Sequence, residues 1–213
     1  MSDRASAEAT CGMPKTGFKR IPAAGGVMEV AGRRLAVVAR AEWHASDQMP
    51  RPDVSFVPPL ERRRLTAVER AVFAVAHAVG SVADGLPVVF ASRWGEIGTT
   101  LKLMRQFREE AEMSPAGFSS SVHNAAPGAW SLFAHDHAPY TAISAGADSF
   151  EMGLEEVAAQ AGRVLFVCAE EETPELYRVA IPEPQAACAL AAVLEPHQTD
   201  GFENLTRRGK NML

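Results

Sequence analysis

An α/β fold, with a central sheet covered by helices on both faces, is predicted by three observations. Short, almost wholly apolar runs at residues 87–91, 163–169 and 186–194 lack the alternation of a half-exposed strand, which marks strands buried on both sides. Before and between them, residues 63–79 and 99–112 repeat apolar side chains at helical spacing. The two patterns alternate along the chain, as layers of helix and strand require.

Residues 1–20 have no periodicity and are expected to form a disordered leader, followed by one domain over 21–195 and a polar tail over 196–213. The run at 35–45 reads as a buried strand passing into a loop. Pro50, Pro52, Pro58 and Pro59 then mark a surface crossing. Leu65, Val68, Val72, Val75, Ala76 and Val79 predict a helix that stops at Gly80 and Gly85. A strand at 87–91 leads into the turn Ser92-Arg93-Trp94-Gly95, and the helix over 99–112 carries Leu101, Met104 and Phe107 on one face and Lys102, Arg105 and Arg108 on another. Ser114-Pro115 reads as the cap and first turn of a short helix toward Phe118. A further helix is expected over 123–134, with Pro127 and Gly128 disturbing its start.

Tyr140, Thr141 and Ile143 form a β-favouring run that meets Ser144, Ala145, Gly146 and Ala147. Small residues permit a tight elbow, and a helix follows with Phe150, Leu154, Val157 and Ala161 on one side. Asp148 and Ser149 are its expected caps. Strands are expected at 163–169, 176–181 and 186–194.

A length of 213 residues suits one domain. The net charge of -5 argues against a general nucleic-acid binder, which needs clustered positive charge. No run of 18 apolar residues occurs, so no membrane span is expected. The N-terminus lacks the apolar core of a signal peptide, so the default location is the cytoplasm. Cys11, Cys168 and Cys188 are odd in number and widely spaced, which suggests buried or free thiols and neither a disulfide framework nor a zinc site.

Several residues carry possible chemistry. Ser144 and Ser149 stand on the elbow where many enzymes place a nucleophile, but Gly-x-Ser-x-Gly is met at neither, and a turn or cap serine is the simpler reading. His135-Asp136-His137 looks like a ligand cluster, yet adjacent side chains point apart, so a solvated turn is expected and no metal. Gly95 and Gly98 follow a strand without Gly-x-Gly-x-x-Gly, so no dinucleotide or other cofactor is predicted. Arg62-Arg63-Arg64 reads as a solvated helix start or a phosphate-facing run. His123-Asn124 reads as a helix cap or as part of an interface.

Two segments together carry a family resemblance. Ser120-Ser121-Val122-His123-Asn124-Ala125-Ala126-Pro127-Gly128, followed by Ala142-Ile143-Ser144-Ala145-Gly146-Ala147-Asp148-Ser149, resembles the N-terminal half of β-ketoacyl synthases of the thiolase-like fold. With Pro87-Val88-Val89-Phe90-Ala91-Ser92-Arg93-Trp94-Gly95-Glu96-Ile97-Gly98, the chain is more closely similar to the small chain-length-factor-like proteins of aryl polyene and xanthomonadin-type type II polyketide systems. The resemblance covers roughly residues 34 to 195.

The resemblance implies a thiolase-like half-fold with a mixed sheet. In an active ketosynthase the elbow resembles Thr-Ala-Cys-Ala-Ser, which lays Gly146 on the nucleophile, so no catalytic residue is expected here. The chain also ends before the half that would supply two histidines, and condensation by this chain alone is not expected. What the resemblance implies instead is a non-catalytic subunit. Its partner is a catalytic ketosynthase in a heterodimer, with the acyl carrier protein as a further partner. The implied interface and tunnel residues are Phe118, His123, Asn124, Tyr140, Ile143, Ser144 and Ser149. Two other readings are an acyl-carrier or acyl-chain binding module, and a weak acyl-thioester hydrolase using Ser149 or His123.

Overall fold

The computed structural model describes residues 17–179 and 184–197. Strands β1 (Val27–Val30), β2 (Arg33–His44), β3 (Val88–Ala91), β4 (Tyr140–Ile143), β5 (Val164–Glu170) and β6 (Cys188–Pro196) form one sheet in the order β1-β2-β6-β5-β3-β4. The first half is antiparallel, through β1/β2, β2/β6 and β6/β5. The second half is parallel, with β3 between β5 and β4. β5 is therefore the seam where the two patterns meet, and every one of its residues is buried.

Each face of the sheet has its own core. On one face, α7 (Ser149–Ala159) and the single turn α1 (Gly17–Arg20) lay Phe18, Phe150, Leu154 and Val157 over Phe166, Leu190 and Leu194. Phe150 meets Phe166 edge-on with ring centroids 5.5 Å apart, a favoured aromatic geometry. A Cβ added at Gly153 would stand 2.8 Å from both Ala91 and Phe166, so glycine lets α7 approach the sheet this closely. On the opposite face, α3 (Ala67–Ala78) and α6 (Ala125–Ala134) cover Phe90, Leu165, Val167, Ala191 and Val193. Full burial of one such phenylalanine or leucine contributes about 1.5–3 kcal/mol relative to exposure.

Thr66 starts α3 with a reciprocal cap: its hydroxyl accepts from the Glu69 amide, and the Glu69 carboxylate accepts from the Thr66 amide. Four shorter or outlying helices complete the fold: α2 (Pro59–Arg62), α4 (Ile97–Glu110), α5 (Pro115–Ser119) and α8 (Glu175–Arg178). Ser114 caps α5 as expected, accepting from the Gly117 amide. The structure describes no helix long and apolar enough to cross a membrane.

Four sequence expectations are corrected. The strand expected at 176–181 is instead the turn of helix α8 behind Pro174, and residues 180–183 lie outside the described residues. The strand opening at residue 35 does not run out into a loop; it continues to His44 against β6. Residues 17–20, placed in the leader, form a helical turn that buries Phe18; residues 1–16 and 198–213 lie outside the description. Cys188 is disulfide-bonded, contrary to the expectation of free thiols.

Candidate functional site

Among the described residues, β4 is the last strand of the sheet and pairs on one side only, with β3. The amides of Val88 and Ser92 bond the carbonyls of Pro139 and Ile143, so the odd-numbered residues of β4 face β3. Tyr140 and Ala142 consequently turn their amides and carbonyls outward, toward an open edge. Ile143 is half-buried against the α7-side core, while Tyr140, Thr141 and Ser144 are exposed.

The elbow follows at once. Gly146–Asp148 form a turn of 3-10 helix leading straight into α7. Gly146 has φ +61°, in the left-handed region, and a Cβ placed on it would meet nothing within 4 Å. Its apex therefore faces open space. The hydroxyl of Ser149 donates to the Gly146 carbonyl at 2.8 Å and accepts from the Ala145 amide at 2.9 Å. Ser149 is buried and serves as the internal brace of the turn. Asp148, the other expected cap, makes no side-chain capping bond.

The other singled-out residues gather around this elbow. Ser144 donates to the Arg93 carbonyl at 3.3 Å. His123 places Nε2 at 2.9 Å from the Ser92 carbonyl and its ring against Phe90. A Cβ on Gly95, which has φ +54°, would stand 3.0 Å from that imidazole. Asn124 reaches the Tyr140 hydroxyl at 3.5 Å. These contacts gather His123, Asn124, Tyr140, Ser144 and Ser149 around β4 and the elbow that follows it. Phe118 lies on α5 and is 56% exposed. In the turn 135–137 the Asp136 carboxylate accepts from the amides of Gly85 and Ala138, and among the described residues no group of three or more His, Cys, Asp and Glu side chains is placed to hold a metal ion.

Sequence reasoning passed over a set of buried carboxyls behind the elbow. Glu170 ends β5 and accepts from the amides of Arg93 and Trp94 and from the Ser92 hydroxyl. Burial pushes its carboxyl up to about 7, against the pull of these donors. Glu96 accepts from the hydroxyls of Thr66, at 2.8 Å, and Thr99, at 3.4 Å. Burial, helped by the charges of Glu69 and Glu171, pushes it up to about 8. Glu171 takes the Gly98 amide at 2.5 Å and is also raised by burial. Burial likewise raises Glu69. One sequence signal pointed here: Glu170 is a charge closing an otherwise apolar strand.

A family model described as the β-ketoacyl synthase N-terminal domain matches residues 36–211. The chain belongs to the β-ketoacyl synthase family. Among solved structures, this ketosynthase-like domain is similar to the ketosynthase ApeO in complex with its chain length factor ApeC from Xenorhabdus doucetiae. The identity is 30% with a TM-score of 0.60, over 66% of this chain and 62% of that chain. It shares its fold with AntDE:AntF, a type II polyketide synthase acyl-carrier protein in complex with its ketosynthase bound to the hexaketide. There the identity is 14% and the TM-score 0.51, over 92% of this chain and 58% of that chain. The ketosynthase-like domain thus spans less than two thirds of the chains it matches. No curated protein matches it. The mixed sheet with helices on both faces is the thiolase-like arrangement expected.

Proposed function

We propose that this protein is a non-catalytic, chain-length-factor-like subunit that pairs with a catalytic β-ketoacyl synthase and shapes its acyl tunnel. The pathway class is polyene or fatty-acid-like biosynthesis, and the acyl carrier protein is the further partner. The observation that carries this reading is Gly146. In the ketosynthase pattern its position belongs to the acyl-accepting cysteine, and here the elbow is built and braced around a residue without a side chain. Covalent acyl transfer needs a nucleophile at that apex. Neither neighbouring serine replaces it, since Ser149 is buried in two bonds within the turn and Ser144 is bound to the Arg93 carbonyl.

The open edge of β4 supports the pairing. A strand with unpaired amides and carbonyls invites a second strand, and the similarity to a ketosynthase held with its chain length factor suggests which kind of protein supplies it. Tyr140, Ile143 and Ser144 then lie at the centre of the interface, with Phe118, His123 and Asn124 beside it, while buried Ser149 holds the turn from within.

The test is co-expression with a type II ketosynthase of the same pathway, followed by affinity capture and product analysis with and without this chain. A stable complex and a change in product length are expected. A monomer that neither binds the ketosynthase nor alters its products would overturn the reading.

A further inference from the structure

Helix α4 is attached to the rest of the molecule in an unusual way. It packs most extensively on the short helix α5, not on the sheet, and among its residues only Leu101 and Leu103 are buried. A Cβ on Gly117 of α5 would stand 2.8 Å from Leu103, so the two helices are closely fitted to each other. Their outer side leaves Met104 61% and Phe107 55% exposed. Helix α4 thus lacks the broad apolar footing that holds α3 and α7 on the sheet.

Beside buried Leu101, the polar bonds that join it to the body lie in its first turn. Glu96, directly before α4, accepts from Thr66 at the start of α3. Glu171, directly after β5, accepts from the Gly98 amide inside the first turn of α4. A Cβ at Gly98 would stand 2.6 Å from the Glu171 carboxylate, so glycine is what admits that bond. Thr100 adds a hydroxyl bond to the Ser121 carbonyl at 3.3 Å. The acidic groups facing Glu96 are Glu69 on α3 and Glu171 beyond β5.

We infer that α4 and α5 form an arm held to the α/β body by a carboxylate latch, Glu96 and Glu171, which loosens when both carry charge. Neutral, the Glu96 carboxyl joins the first turns of α3 and α4 without repulsion. Charged, it is a buried anion beside two further carboxylates, with only two hydroxyl donors to compensate it. Moving the first turn of α4 outward hydrates all three groups, and little apolar burial opposes that motion. This device lies in the fold of the single chain and does not depend on the ketosynthase pairing proposed above. The raised position of Glu96, near 8, puts the change in the neutral to mildly alkaline range.

Hydrogen–deuterium exchange of the full chain at pH about 6 and about 9, corrected for the intrinsic pH dependence of amide exchange, tests this directly. Peptides covering α4 are expected to lose protection by on the order of tenfold or more, because a carboxyl freed from burial returns to the ordinary range and each pH unit between the two states is a factor of ten. Peptides covering β5 and β6 are expected to keep theirs. Glu96→Gln, which retains an acceptor for Thr66 but cannot ionise, should make α4 protection nearly independent of pH. Glu171→Gln should do so in part. Protection of α4 unchanged in the wild type, loss spread equally over the whole sheet, or an undiminished response in both variants would each overturn the latch. Should Glu96→Gln fail to fold, the wild-type profile and Glu171→Gln decide it alone.

Discussion

The Ser149 hydroxyl donates to the carbonyl of Gly146 at 2.8 Å, tying the apex of the elbow to the helix that follows it. With its second bond from the Ala145 amide, this one side chain satisfies both sides of the turn. Ser149→Ala leaves the Gly146 carbonyl and the Ala145 amide without this partner and is expected to cost about 0.5–1.5 kcal/mol. Urea unfolding of the two proteins measures it, and a cost near zero would show that the turn does not need its brace.

Gly146 has space around it but a left-handed backbone. Gly146→Ala is expected to cost about 1 kcal/mol through φ strain alone, with no packing clash. Gly146→Cys should behave alike in stability and gain no condensing activity by itself. An acyl-loading and condensation assay checks the second statement, and product formed by that variant alone would contradict it.

Because Ala142 turns its amide away from β3, Ala142→Pro spares the inner ladder and blocks only the outer edge. The variant should fold, as judged by circular dichroism, yet fail to co-purify with the proposed ketosynthase partner. Retained binding by a folded variant would move the interface away from β4.

Stability should fall as pH rises. Glu96 and Glu170 both lie above the usual carboxyl range in the folded chain, so the folded state keeps protons that the unfolded state releases. Their contribution is fully present below the ordinary carboxyl range and is lost as pH passes through about 7 for Glu170 and about 8 for Glu96. Urea midpoints should decline over this interval in the wild type, and the decline should shrink in the double variant Glu96→Gln, Glu170→Gln.

Much of the fold was legible because buried strands and amphipathic helices leave different periodicities. The runs that became β3, β5 and β6 were apolar throughout, and the spacing of Val68, Val72, Val75 and Ala76 marked α3, whereas its Thr66–Glu69 cap was not read from the sequence. β1 was not anticipated, since four residues with two facing inward are too short a pattern to stand out. Leu176 and Tyr177 looked strand-like, but they follow Pro174 in a single helical turn that contributes nothing to the sheet. The elbow was legible from its small residues. The carboxyl cluster was not, because Glu69, Glu96 and Glu171 each read locally as solvated charge. Only the adjacency of β3 to β5, together with α3 beneath their ends, brings these distant segments into contact.

The long strand β2 is complete at His44, yet the neighbour that covers its inner edge begins at Cys188. During synthesis the ribosome must therefore make α3 through β5 while that edge waits unpaired. The parallel half can assemble earlier from segments closer in sequence, whereas the antiparallel half closes only once β6 is made. Such distant pairing is slow and leaves a sticky intermediate. A nascent chain paused before residue 188 should thus be a substrate for chaperones, and β6 is the strand that joins the two halves of the sheet.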